Sequence, residues 1–89
     1  MITLEEVLQN ESGFHIRPAQ LFVEKASEFS SGVIVGNEEG METDGKSILG
    51  LMTMGFVCGS KVVIKIEGAD EDAAAQALAE LVRSKFGEK

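Results

Sequence analysis

The sequence predicts an α+β fold: an open-faced β-sandwich whose four-stranded antiparallel sheet carries its helices on one face, in the order β-α-β-β-α-β-α. Three features predict it. Two stretches, after Pro18 and after Asp70, repeat apolar residues at steps of three and four, the signature of amphipathic helices. The runs "VIVGN" and "KVVIKIE" are short and β-branched, as strands of a half-buried sheet are. These segments follow one another along 89 residues without a linker, repeat or low-complexity tract, so one domain, residues 1–89, is expected.

Residues 2 to 9 form a first strand with Leu4 and Leu8 on one face, although Glu6 interrupts the alternation. From Pro18 onward, Ala19, Phe22, Ala26 and Phe29 gather on one side of a helix, and Pro18 belongs in its first turn, where a missing N–H costs little. "VIVGN" then pairs across the acidic turn Glu38-Glu39-Gly40 with a short strand near Met41 to Thr43, making a hairpin. "KSILGLMTMG", Lys46 to Gly55, is apolar almost all round and reads as a short helix with a greasy outer side. In "KVVIKIE", Val62, Ile64 and Ile66 face the core. Asp70 is placed to cap the last helix, with Glu71 and Asp72 favouring its positive end, and Ala74, Ala77, Leu78, Leu81 and Val82 form its apolar stripe.

Composition narrows the partners. Fifteen acidic against eight basic residues give a net charge of −7, a field that repels phosphate backbones and anionic lipid surfaces. With neither Trp nor Tyr to stack on bases, no direct nucleic-acid binding is expected. The N-terminus lacks a basic segment followed by an apolar run, and nothing approaches the roughly 20 apolar residues of a membrane span, so a cytoplasmic protein without membrane insertion is expected. Cys58 is the single cysteine, which excludes an intrachain disulfide and a cysteine metal cluster; a buried thiol is the simplest reading of it. No cofactor is implied, and one histidine with dispersed carboxylates makes no case for a metal.

The chain's only histidine, His15, stands in "SGFHIRPAQLF" where a glycine-bearing turn becomes a helix. Amides of a helix's first turn lack partners within the helix and favour an anion. A phosphoryl group on the imidazole would be stabilised by them and by Arg17, whose planar fork can hold two phosphate oxygens. Gly13 frees the backbone before this turn and Pro18 stiffens it after. The competing reading is a histidine that merely caps the helix or sits hydrated on the surface. Hydrolytic chemistry lacks a paired nucleophile and orienting group in any local signature.

The segment "GFHIRPAQLF" resembles the active-site motif of HPr, the histidine-containing phosphocarrier family of the bacterial phosphoenolpyruvate-dependent sugar phosphotransferase system. "KSILGLMTMG" looks like that family's regulatory serine and short helix, and "GADEDAAAQALAELV" is similar to its last helix. The resemblance implies that His15 accepts a phosphoryl group on Nδ1 from phosphorylated enzyme I and passes it to IIA domains of sugar permeases, steadied by Arg17. It makes Ser47 the target of an HPr kinase/phosphorylase, the modified protein then partnering a catabolite-control transcription factor. On residue grounds alone, Ser47 is the N-cap of the short helix.

Within this reading Ile48, Leu49 and Met52 face outward and, with Ile16 and Gln20, make an apolar docking platform around His15, while Leu51 and Met54 face the core. The carrier turns over no substrate alone, and a monomer is expected of a protein that must visit several docking sites. The chain departs from the family at Ile16, where a small residue is common, in the acidic character of the first helix around Glu24 and Glu28, and in the acidic segment Gly36 to Gly45. The alternatives are a regulatory paralogue acting through Ser47, a carrier in a nitrogen-related or dihydroxyacetone-phosphorylating branch, and a small ferredoxin-like metabolite-binding domain.

Overall fold

A computed structural model describes residues 1–10 and 15–87. Its elements are β1 (Ile2–Val7), α1 (Ile16–Ala26), β2 (Gly32–Gly36), β3 (Glu42–Asp44), α2 (Ile48–Thr53), β4 (Lys61–Glu67) and α3 (Glu71–Arg83), closed by a 3-10 turn at Lys85–Gly87. The strands lie in the order β1-β4-β2-β3, every neighbouring pair antiparallel. Both the expected fold class and the expected element order are present.

Register explains the core. Ile66 is flanked by Ile2 on one side and Val33 on the other, and Ile64 by Leu4 and Val35, so one face of the sheet is apolar from edge to centre. Against it lie Phe22 and Ala26 of α1, Leu51 of α2, and Leu78 and Val82 of α3, all at 0% exposure. The alternation expected of "KVVIKIE" is the observed burial of β4. Glu6 breaks the pattern of β1 because it meets α3: both its carboxylate oxygens accept from Arg83, at 2.9 Å from Nη2 and 3.3 Å from Nε. This fork is the strong, geometrically specific form of ion pair.

Several elements shift from their expected places. β1 ends at Val7, two residues early, yet Leu8 remains in the core and keeps its backbone paired, its N–H donating to Ser60 O and its carbonyl accepting from Gly59 N. β3 lies one residue later than expected, at Glu42–Asp44. Phe29 falls beyond the end of α1 but still packs against the core. In α3 the buried residues are Ala74, Ala75, Leu78, Ala79 and Val82, with Leu81 partly buried beside them.

Asp70 occupies the N-cap position of α3 without capping it through its side chain. Its backbone (φ −106, ψ 26) is outside the extended region from which an N-cap side chain folds back onto its own helix. The carboxylate instead accepts from Ser30 N and Ser31 N, each at 2.9 Å, and from the Ser31 hydroxyl. Those donors, the Ser31 hydroxyl foremost and the Ser30 amide next, hold the carboxyl at about 2, below its ordinary 3.8. The close approach requires Gly68: at φ +156, a Cβ there would lie 2.6 Å from Ser31 Cα. Asp70 thus fastens the α1–β2 turn to the start of α3.

Cys58 is exposed, correcting the expectation of a buried thiol. It lies in the α2–β4 turn between Gly55 and Gly59, whose positive φ values of 71° and 91° form the reversals, and its Sγ donates to Gln9 O at 3.8 Å. Among the described residues, no helix is long and apolar enough to cross a membrane.

Candidate functional site

Helix α1 begins at Ile16, with His15 as its N-cap residue in extended conformation (φ −72, ψ −178). The backbone of His15 starts the helix, its carbonyl accepting from Ala19 N at 2.9 Å. Its side chain makes no capping hydrogen bond and is exposed. A capping role is thereby removed from the readings of this histidine. Gly13, expected to loosen the turn before it, lies outside the described residues.

The first turn of α1 is built to hold its position. Pro18 and Ala19 are buried, while Ile16 and Arg17 point outward, Ile16 at 61% exposure. Helix geometry leaves the amides of Ile16 and Arg17 without acceptors inside the helix, and Pro18 has no amide to satisfy. The turn contains no acidic residue, so the positive helix end is not neutralised locally. Arg17 forms no ion pair with another described residue. Together these features put an exposed histidine at a helix head with no acid in its first turn and an exposed arginine two residues on, an environment suited to an attached anion.

Helix α2 lies alongside α1. Ser47 is its N-cap, and the serine Oγ accepts from Gly50 N at 3.0 Å. The connection leading into it is tightly bonded: the Asp44 carboxylate accepts from Lys46 N at 2.9 Å, and Asp44 O from Ser47 N at 3.1 Å. Six residues cannot bury apolar side chains all round, so Leu51 enters the core while Ile48, Leu49 and Met52 remain 37%, 73% and 40% exposed. Gln20 is also exposed. The α2–β4 turn adds Val57, at 63% exposure, which no periodicity in the sequence marked. Among the described residues there is no group of three side chains able to hold a metal ion.

The model of the family described as the PTS HPr component phosphorylation site matches residues 2–84. The chain belongs to the HPr phosphocarrier family. It is 40% identical over 84 residues to the phosphocarrier protein HPr of Borreliella burgdorferi, covering 94% of this chain and 96% of that one. It is 35% identical over 78 residues to the HPr-like protein Crh of Halalkalibacterium halodurans, covering 88% and 92%. HPr of Thermoanaerobacter tengcongensis, 42% identical, superposes with a TM-score of 0.95 over 100% of this chain and 99% of the other. The HPr dimer from the same organism covers 99% and 100%, with a TM-score of 0.78. The HPr-like arrangement therefore extends over the whole sheet and all three helices.

Proposed function

We propose that this HPr family member is a cytoplasmic phosphocarrier, one domain over residues 1–89, that receives a phosphoryl group on His15 Nδ1 from phosphorylated enzyme I and delivers it to IIA domains of sugar permeases. In each transfer the bond from phosphorus to the donor breaks as the bond to the acceptor nitrogen forms, so the carrier returns unchanged. The observation that carries the reading is the exposed His15 ring, uncommitted to capping, at the head of a helix with no acid in its first turn. The Arg17 guanidinium holds the dianion, adding charge-assisted hydrogen bonds to those of the free amides.

Docking uses the apolar surface formed by Ile16, Gln20, Ile48, Leu49 and Met52, each visiting partner covering His15 in turn. Ser47 is the regulatory phosphorylation site for a kinase/phosphorylase. A phosphate at an N-cap is electrostatically tolerated and acts by placing a dianion beside Ile48 and Leu49, where partners require apolar contact. The carrier works as a monomer. The likeness to Crh favours a second reading, a regulatory paralogue acting mainly through phospho-Ser47 on a catabolite-control transcription factor.

The test is phosphotransfer from phosphoenolpyruvate through enzyme I with magnesium, read by intact mass and acid lability. An acid-labile single phosphate that is absent in His15→Ala supports the carrier. No adduct with a competent enzyme I, together with an acid-stable adduct at Ser47 from an ATP-dependent kinase, overturns it in favour of the regulatory paralogue.

A further inference from the structure

The Lys46 ammonium donates to Phe29 O at 3.0 Å, a partly buried hydrogen bond that spans 17 residues. Phe29 O lies just past the end of α1, in the trailing turn formed by Ser27 N→Val23 O, Glu28 N→Lys25 O and Phe29 N→Ala26 O. A cation there satisfies a carbonyl at the negative end of the helix dipole. Lys46 itself stands one residue before the N-cap of α2. The bond thus joins the tail of α1, the helix headed by His15, to the head of α2, which carries Ile48, Leu49 and Met52.

Both anchors are fixed. On the α1 side, Asp70 accepts from the backbone of Ser30 and Ser31, immediately after Phe29, so the accepting carbonyl is held from behind. On the α2 side, Asp44 accepts from the backbone of Lys46 and Ser47, and Gly45 N donates to Val33 O at 2.7 Å. Between fixed ends, a lysine side chain acts as a strut of set length. A helix of six residues with one residue at 0% exposure depends on ties such as these: Gly50 seats it close to Thr43 of β3, and the Lys46 bond fastens its head to the tail of α1.

We infer that Lys46 is a positioning residue for phosphotransfer: by strapping α2 to the tail of α1 it sets where the apolar docking surface stands relative to His15. This rests on the phosphocarrier reading above. Lys46 touches neither phosphoryl group nor partner in this role; it acts through the placement of Ile48, Leu49 and Met52.

The experiment compares the full-length wild type, Lys46→Gln and Lys46→Arg as acceptors from phosphorylated enzyme I, with hydrogen exchange measured in parallel. For Lys46→Gln we expect KM to rise about ten-fold, the lower end of what losing a hydrogen bond to a charged group costs, with kcat unchanged. Lys46→Arg, which retains a cationic donor, restores KM. The ratio of KM values persists in about 0.3 M salt, where exposed charges are largely screened. In Lys46→Gln, exchange quickens at the amides of Gly50 and Leu51 while β4 is unaffected.

A wild-type KM in Lys46→Gln overturns the inference. So does a KM rise that salt abolishes, which would make Lys46 a direct contact for an acidic partner, or a joint loss of kcat and thermal stability that Lys46→Arg does not restore. Failure of the wild type to accept phosphate refutes the carrier reading instead, and the exchange rates then still decide whether Lys46 holds α2.

Discussion

Replacing Gly50 by alanine should destabilise the protein, against the ordinary rule. In a helix interior the change gains about 1 kcal/mol, because glycine loses the most backbone freedom on folding. Here, however, α2 lies so close to β3 that a Cβ on Gly50 would stand 2.1 Å from Thr43 Oγ1, with Ser47 Oγ and Cβ at 3.2 and 3.3 Å. Thr43 is half-buried and β-branched, so its hydroxyl cannot swing away freely. Either the threonine leaves its rotamer or α2 lifts from the sheet, and overpacking of this kind costs about 1–3 kcal/mol.

Subtracting the propensity gain leaves a net loss of about 1 kcal/mol, which in a domain of this size lowers Tm by about 4–8 °C. In a Thr43→Ala background the obstruction is gone, and Gly50→Ala should become neutral or stabilising. The coupling in this double-mutant cycle is then about 1–3 kcal/mol, beyond the roughly 0.5 kcal/mol expected of independent sites. With no Trp or Tyr in the chain, the unfolding curves are best followed in urea by far-UV circular dichroism. A Gly50→Ala protein as stable as its parent with Thr43 intact would refute the close seating of α2.

Acid should reveal the Asp70 clasp. A carboxyl held at about 2 when folded, against 3.8 ordinarily, contributes stability that is complete above 3.8 and lost as pH falls toward about 2. Across that window the wild type should lose Tm more steeply than Asp70→Asn, and parallel curves would refute the assignment. Cys58 should react with one equivalent of an aromatic disulfide reagent in native buffer, since its thiol is exposed; reaction only after denaturant would show that the turn is wrongly placed.

What could be read beforehand was local. The alternation of β4 survives in the fold because the strand buries one face between β1 and β2, so its neighbours in sequence report directly on its surroundings. Ser47 was legible as a cap because its acceptor role reaches only three residues ahead, to Gly50. The outward set of Ile48, Leu49 and Met52 followed from a helix too short to bury them.

Contacts closed by the tertiary fold were not legible. Local rules assign Asp70 to its own helix, but its carboxylate answers donors 39 and 40 residues earlier. A buried thiol was the simplest reading of a lone cysteine, whereas Cys58 lies exposed in a turn reversed by Gly55 and Gly59. Nothing near Lys46 announces a carbonyl 17 residues upstream. For His15, sequence supplied the helix start, and only the structure separated a capping ring from an exposed one.

The order of the sheet also bears on how the chain comes into being. β1 is the first strand to be made, yet it has one neighbour, β4, whose residues Lys61–Glu67 arrive after two thirds of the chain. At about 5–20 residues per second of synthesis, β1 waits for seconds with both edges open. Closing so long a loop is slow compared with forming the β2–β3 hairpin, so the sheet's first-born strand is paired among the last. Glu5 and Glu6, one later held by Lys61 and the other by Arg83, keep that waiting segment charged and discourage it from joining the same strand of another nascent copy.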